Sequence, residues 1–329
     1  METSMAPSFD VPILFIIFNR PDITKRGFEA IRNIRPARLY VLADGPRKNR
    51  PDDIEKCKKS RDYVMSHIDW PCSIVTLFRD ENLGCKGSVS AGLTWFFQQV
   101  EEGIVLEDDD VPDPSFFRYC KELLEKFRDD ERVMCIDGTS VQDQNPNFRN
   151  ADSYYFSRIP MGWGWASWKR AWKTYDVTMR AWPALCESGS LKKRFANAGA
   201  YERFAHSWDD YLAGTTDSYD GQWVFACVAN DGLCIAPCRN LVTNIGFGED
   251  ATHTSTTKNS RWANLPTFPV QFPMKHPTKV AIDHKADAFL YRHFFGIDKK
   301  LRHQITRPIK NTFPGLYKNI KRFLASEPK

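Results

Sequence analysis

Four consecutive carboxylates, Glu107-Asp108-Asp109-Asp110, follow the short apolar stretch Gly103-Ile104-Val105-Leu106. At neutral pH such neighbours repel and raise one another's pKa unless a cation or fixed dipoles compensate. The chemistry this invites is the binding of a hard cation. Magnesium or manganese takes oxygen ligands, commonly one or two carboxylates, and fills its other positions with water and substrate phosphates. An acidic run taken alone is more often a solvated turn. Its place here argues for a site, because ligands of parallel α/β sheets bind just beyond the carboxyl ends of strands. The expected cofactor is therefore Mn2+ or Mg2+, and the expected substrate carries phosphate.

The elements that must position these acids alternate along the first half of the chain. Apolar runs at Val11–Phe18, Leu39–Ala43, Ser73–Phe78, Gly103–Leu106 and Val133–Ile136 read as strands. Amphipathic segments at Asp22–Asn33, Asp52–Ser66, Ser88–Gln99 and Ser115–Arg128 read as helices, the last with Ser115 as N-cap. This βα alternation predicts a mostly parallel sheet with helices on both faces, since right-handed crossovers lay each helix over the sheet. The four loops after the first four strands then share one edge. They hold Asn19-Arg20-Pro21-Asp22, Asp44-Gly45-Pro46-Arg47, Arg79 to Gly87, and the acidic run. Asp44 suits acceptance of a hydrogen bond from a base N–H, while Arg20, Arg79 and Lys86 suit diphosphate charge. Each is weak by itself, as Gly84 and Gly87 lack the dinucleotide and P-loop fingerprints. Their coincidence on one edge carries the signal.

Further along, Met161-Gly162-Trp163-Gly164-Trp165-Ala166-Ser167-Trp168 sets aromatics beside small residues. Trp faces pack on sugar rings, and glycines permit close backbone approach. Most of these tryptophans are expected in the core, with Trp163 and Gly164 as the candidates for donor contact. Cys227, Cys234 and Cys238 lack the paired spacing of a zinc site and read as buried thiols.

At 329 residues, 42% hydrophobic and 26% charged, the chain can bury a full core and is not of disordered composition. Nine cysteines without a repeating spacing follow a start, Met1-Glu2-Thr3-Ser4, with no basic region or apolar signal core. They are expected as reduced thiols inside a cell. The longest apolar run, Ile13–Phe18, falls far short of the roughly 20 residues that span a bilayer. Between Arg292 and Arg322 nine Lys or Arg face the single acid Asp298, so the chain's net charge of +5 resides in its tail. Interleaved apolar residues make this a basic, broken amphipathic tail suited to peripheral contact with an anionic membrane. No nucleic-acid recognition module accompanies it.

Phe18-Asn19-Arg20-Pro21, Ala43-Asp44-Gly45, Asn82-Leu83-Gly84, Leu106-Glu107-Asp108-Asp109 and Gly162-Trp163-Gly164-Trp165 together resemble inverting GT-A glycosyltransferases related to N-acetylglucosaminyltransferase I, particularly their bacterial relatives. The resemblance covers roughly residues 10–255. It implies a Rossmann-like GT-A fold with a mixed, mostly parallel sheet flanked by helices, ending in a basic helical tail. It divides the chain into a nucleotide-sugar-binding half (1–150), an acceptor-binding and catalytic half (151–290) and the tail (291–329). The acidic run would then be a DXD-type motif with Asp109 on manganese, or Asp110 if the register moves by one. Glu107 and Asp108 would meet donor sugar or ribose, Asp44 the uracil ring, and Arg20 the nucleotide. Tyr219-Asp220-Gly221-Gln222-Trp223 is similar to the segment that carries the family's general base, with Tyr219 where a Trp is expected. That assigns Asp220, with Asp210 or Asp209 of Ser207-Trp208-Asp209-Asp210 as runner-up. The segment Asn244–Thr254 is similar to one in bacterial relatives and is expected to fold over the donor, bringing His253 to metal or pyrophosphate.

The implied reaction moves a sugar, a hexose or N-acetylhexosamine, from a UDP-sugar to a hydroxyl of a glycan or lipid-linked acceptor, as in surface polysaccharide synthesis. It would occur in the cytoplasm, at or near the inner membrane face. A magnesium-dependent phosphohydrolase is the alternative of a different class, because acids at strand ends also serve phosphate esters. A third is an inactive nucleotide-sugar-binding protein, since fold alone does not establish chemistry.

Overall fold

The computed structural model describes residues 9–247 and 261–297. Strand β1 (Ile13–Ile17) is buried along its whole length because helices cover both faces of the sheet. Successive side chains of a strand point to opposite faces. Thus Ile13, Phe15 and Ile17 join Phe28 and Leu123 in one core, while Leu14 and Ile16 join Leu93, Phe96 and Trp223 in another. The uninterrupted apolar run of β1 is the mark of such a doubly covered strand.

Helix α1 (Pro21–Ile34) opens on a proline at its first position and ends at Arg35, whose left-handed backbone (φ 52°) turns the chain. Then follow β2 (Arg38–Ala43), α2 (Asp52–Ser66), β3 (Ser73–Phe78), α3 (Gly84–Gln99) and β4 (Glu102–Glu107). Next come the short β5 (Asp110–Pro112), α4 (Ser115–Lys126) and β6 (Val133–Asp137). The second half adds β7 (Tyr154–Ser157), β8 (Trp165–Trp168), α5 (Lys169–Trp172), α6 (Trp182–Ser188), α7 (Ala198–Leu212) and α8 (Asp220–Ala229). β9 (Leu233–Pro237), β10 (Val242–Asn244) and α9 (His284–Phe289) complete the order, and a π-turn over Leu290–Phe294 extends α9.

Eight strands form one sheet in the order β3-β2-β1-β4-β8-β6-β9-β7. The first four are mutually parallel, so the loops after them do share an edge. β8 runs antiparallel between β4 and β6, and β7 antiparallel beside β9. The sheet is mixed and mostly parallel, as expected, and both halves of the chain contribute strands to it. Insertion of β8 next to β4 carries Gly164 to the acidic run. β5 pairs with β10 in a separate ribbon, matching Asp110 with Asn244. Three residues beginning with an acid give no apolar alternation, so this strand exists only through its distant partner.

Two helix starts differ from expectation. Ser115 is not the cap but the first helical residue; Asp113 accepts from its backbone N–H (2.9 Å) and its hydroxyl (2.6 Å), with Pro114 already in helical geometry between them. α3 begins at Gly84, a turn before the expected Ser88. Its half-buried first turn is capped from elsewhere, by Asp217, which accepts from Cys85 N (3.1 Å) and Lys86 N (3.0 Å). Among the described residues no helix is long and apolar enough to cross a membrane. The basic tail lies outside the described residues beyond Ile297.

Candidate active site

A cavity of about 390 Å³ opens at the carboxyl ends of β1, β2 and β4. Arg20 follows β1, Asp44 follows β2, and Glu107 ends β4 with Asp108 and Asp109 in the turn after it. The second half supplies Gly162 and Trp163 from the turn before β8, Ser218, Tyr219 and Asp220 from the start of α8, and Phe294 and Phe295. Trp163 stands edge-on to Phe247 (5.6 Å) and Phe294 (5.8 Å), which makes this part of the wall aromatic. Trp165 and Trp168 are buried in the sheet, as expected of core residues.

Four carboxylates share one guanidinium. Arg20 is the single cation paired with the run among the described residues, bonding Asp108 through Nη2 and Nε and reaching Asp109 Oδ2 at 3.0 Å. Burial works against the Arg20 charge, yet Asp108 and Asp109 outweigh it and hold its pKa above the ordinary value. Burial raises Asp108, with Arg20 opposing. Glu107 is pushed up to about 8, first by burial and then by the charge of Asp109, while the Tyr219 hydroxyl that it accepts at 2.9 Å works the other way. The cluster is short of positive charge.

Asp109 and Asp110 are sorted by direction. Asp110 Oδ2 accepts from Glu107 N (3.0 Å) and Gly164 N (2.9 Å), and the residue does not line the cavity. Burial keeps its pKa well above the carboxylate range. Asp109 does line the cavity, and its Oδ1 is buried with no hydrogen-bond partner among the described residues. A Cβ at residue 246 would lie 1.8 Å from Asp109 Oδ2, so only glycine lets the Asn244–Phe247 segment close on the acids. No three side chains of metal-ligating type gather among the described residues. The set fits instead a cation held by one or two carboxylates, with the balance from a bound phosphate and water.

The other expected residues separate into two groups. Asp44 lies on the cavity and accepts from Gly45 N (3.0 Å), Leu83 N (3.1 Å) and Asn82 Nδ2 (2.9 Å). Burial raises its pKa against those bonds, and carboxylate oxygens retain lone pairs for a further donor. Asp220 also lines the cavity and is exposed. Arg79, Lys86, Asp110, Gly164 and Asp210 do not line it. Arg79 acts on Asp44 through its charge, and the Lys86 backbone is held by Asp217. Asp210 accepts from Thr215 Oγ1 (3.3 Å) and stands 3.7 Å from His206, while Asp209 accepts from Trp182 Nε1 (2.9 Å). Held by these partners, neither Asp209 nor Asp210 lines the cavity. His253 lies outside the described residues.

Several contributors carried no sequence signal. Thr24 Oγ1 approaches Asp108 Oδ2 at 3.4 Å from the first turn of α1. Asp137, fully buried at the end of β6, accepts from Met161 N (3.1 Å) and so supports the turn that carries Gly162 and Trp163. Phe294 and Phe295 come from the far end of the chain.

No protein-family model matches the sequence, and no curated protein does. Among solved structures, the chain is similar to galactosyltransferase LgtC in complex with donor and acceptor sugar analogs, at 11% identity and TM-score 0.35, over 88% of this chain and 96% of that one. A UDP-glucose pyrophosphorylase complexed with UDP-glucose matches at 10% identity and TM-score 0.35, over 69% and 90%. A mannosyltransferase from Pyrobaculum calidifontis, in complex with GDP-Man and Mn2+, matches at 13% identity and TM-score 0.33 over 50% of this chain. The chain spans 47% of that mannosyltransferase's length. At these identities and TM-scores the likenesses carry no argument about this chain.

Proposed function

We propose that the protein is a metal-dependent, inverting glycosyltransferase that moves a sugar from a UDP-sugar to a hydroxyl of a glycan or lipid-linked acceptor. The observation that carries this reading is one cavity lined both by buried acids at parallel strand ends, one with an unpartnered carboxylate oxygen, and by an exposed carboxylate from another element. Asp44 would accept from the uracil N–H, and Arg20 and Glu107 would flank ribose and diphosphate. Asp109 would hold Mn2+ or Mg2+, which when bound neutralises charge on the departing diphosphate. Asp220 would remove the acceptor proton as the hydroxyl oxygen attacks the anomeric carbon. A single displacement inverts that carbon. Trp163, with Phe294 and Phe295, offers the apolar surface on which a sugar ring packs.

The test is titration of a panel of UDP-sugars against the wild-type chain and Asp109→Asn, with and without manganese. Manganese should strengthen donor binding at least tenfold in the wild type and have no effect in the variant. Equal donor affinity in all four arms would reject the metal assignment.

A further inference from the structure

Asp220 lies on an exposed surface, where a free carboxylate would rotate, yet its side chain is held from three directions. Its Oδ1 accepts from Tyr211 Oη (3.0 Å), from Gly221 N (2.9 Å) and from Ser218 Oγ. No hydrogen bond among the described residues engages Oδ2. The Tyr211 ring lies against the start of α8: a Cβ at residue 221 would be 1.9 Å from its Cε2, so the contact exists only because residue 221 is glycine. Thus α7 supplies the hydroxyl, α8 supplies the bare backbone that lets it in, and the two together fix one carboxylate oxygen while leaving the other open.

We infer that Tyr211 is a positioning residue for the reaction, pinning Asp220 Oδ1 so that Oδ2 is presented to the acceptor hydroxyl. This rests on Asp220 being the general base. A base contributes only when it is held within hydrogen-bond reach of the proton it takes, and an exposed carboxylate that swings through several rotamers loses that geometry. The ionisable groups facing Asp220 from neighbouring elements are Tyr211, Cys85 of α3 and Tyr175 after α5, with Tyr219 beside it. Burial holds all four above their ordinary pKa values, so none is charged near neutrality. Loss of the Tyr211 hydroxyl therefore removes a donor to Asp220 and no charge.

Tyr211→Phe keeps the ring on Gly221 and removes only the hydroxyl. UDP release from a UDP-hexose with manganese should fall by about tenfold in kcat with the donor KM unchanged. In parallel, the Asp220 carboxyl carbon, identified in NMR spectra at neutral pH by its loss in Asp220→Asn, should change its chemical shift in Tyr211→Phe, as loss of the donor on Oδ1 requires. An unchanged carboxyl signal overturns the pin, whatever the rates. Unchanged kcat in Tyr211→Phe, with Asp220→Asn inactive, overturns its catalytic value. If Asp220→Asn itself keeps full turnover, the base assignment falls, and the carboxyl signal still decides whether Tyr211 holds the carboxylate.

Discussion

The wall of the cavity formed by β1, β2 and β4 and the wall formed by the start of α8 both present carboxylates, but they hold them by different means. Asp44, Glu107, Asp108 and Asp109 follow directly from the strands that deliver them, and the parallel pairing of those strands brings them to one edge. They are buried or half-buried and crowded, and one guanidinium, that of Arg20, pairs with Asp108 and Asp109. Asp220 is exposed and is fixed by side chains of a loop and of a neighbouring helix. That same loop reaches across to the first wall: Tyr219 donates to Glu107, and Asp217 caps α3. The crowded wall is suited to a ligand that brings positive charge. The exposed one is suited to a ligand that brings a proton.

The contrast can be broken most sharply at Asp220. Asp220→Asn should lower kcat by about 10² to 10⁴-fold while leaving donor affinity as in the wild type, read by steady-state rates beside donor titration. A loss of donor affinity of similar size would place Asp220 with the first wall instead.

Next in size is the distinction within the acidic run. Asp110→Ala should destabilise the fold by about 2 kcal/mol, because it leaves the N–H groups of Glu107 and Gly164 without their buried acceptor. Denaturant unfolding reads the loss. The manganese effect on donor binding should persist in folded Asp110→Ala, and its disappearance would make Asp110 a ligand alongside Asp109 or in its place.

The smallest effect is a slope. Burial pushes Asp137 up to about 7 from an ordinary carboxylate value, so the folded state binds its proton more tightly than the unfolded chain. The stability this group contributes is complete below the unfolded value, near pH 4, and is lost as pH rises through about 7. Asp137→Asn should flatten that part of the stability–pH curve, measured by melting at pH 5 and pH 8. An unchanged slope would assign it to other groups. Because Asp137 supports Met161, the variant should also loosen the turn that carries Trp163.

Much of the first wall was legible because it is local. Each of β1 to β4 is an apolar run followed by its own loop, and parallel order follows from the helices between them. Asp44 and Asp109 could be placed on the cavity edge on that basis. Arg79 and Lys86 share those loops yet do not line the cavity, since loop membership fixes neither side-chain direction nor the pairing that Asp217 makes. The second wall was legible only at Asp220. Tyr211, Asp217 and Phe294 act through partners far along the chain or through a turn geometry that no spacing rule encodes.

Composition and the periodicity of apolar residues were enough to specify a layered α/β protein with acids at the end of a central strand, because burial selects apolar residues at the period of each element. Which of two adjacent aspartates faces the cavity was decided elsewhere. Asp109 and Asp110 are the same residue type one position apart, and local preference cannot separate them. Packing of β8 against β4 brings the Gly164 N–H to Asp110, and pairing of β10 with β5 brings Gly246 onto Asp109. The Gly164 N–H, arriving from over fifty residues away, joins that of Glu107 on Asp110 Oδ2, while Asp109 is left facing the cavity.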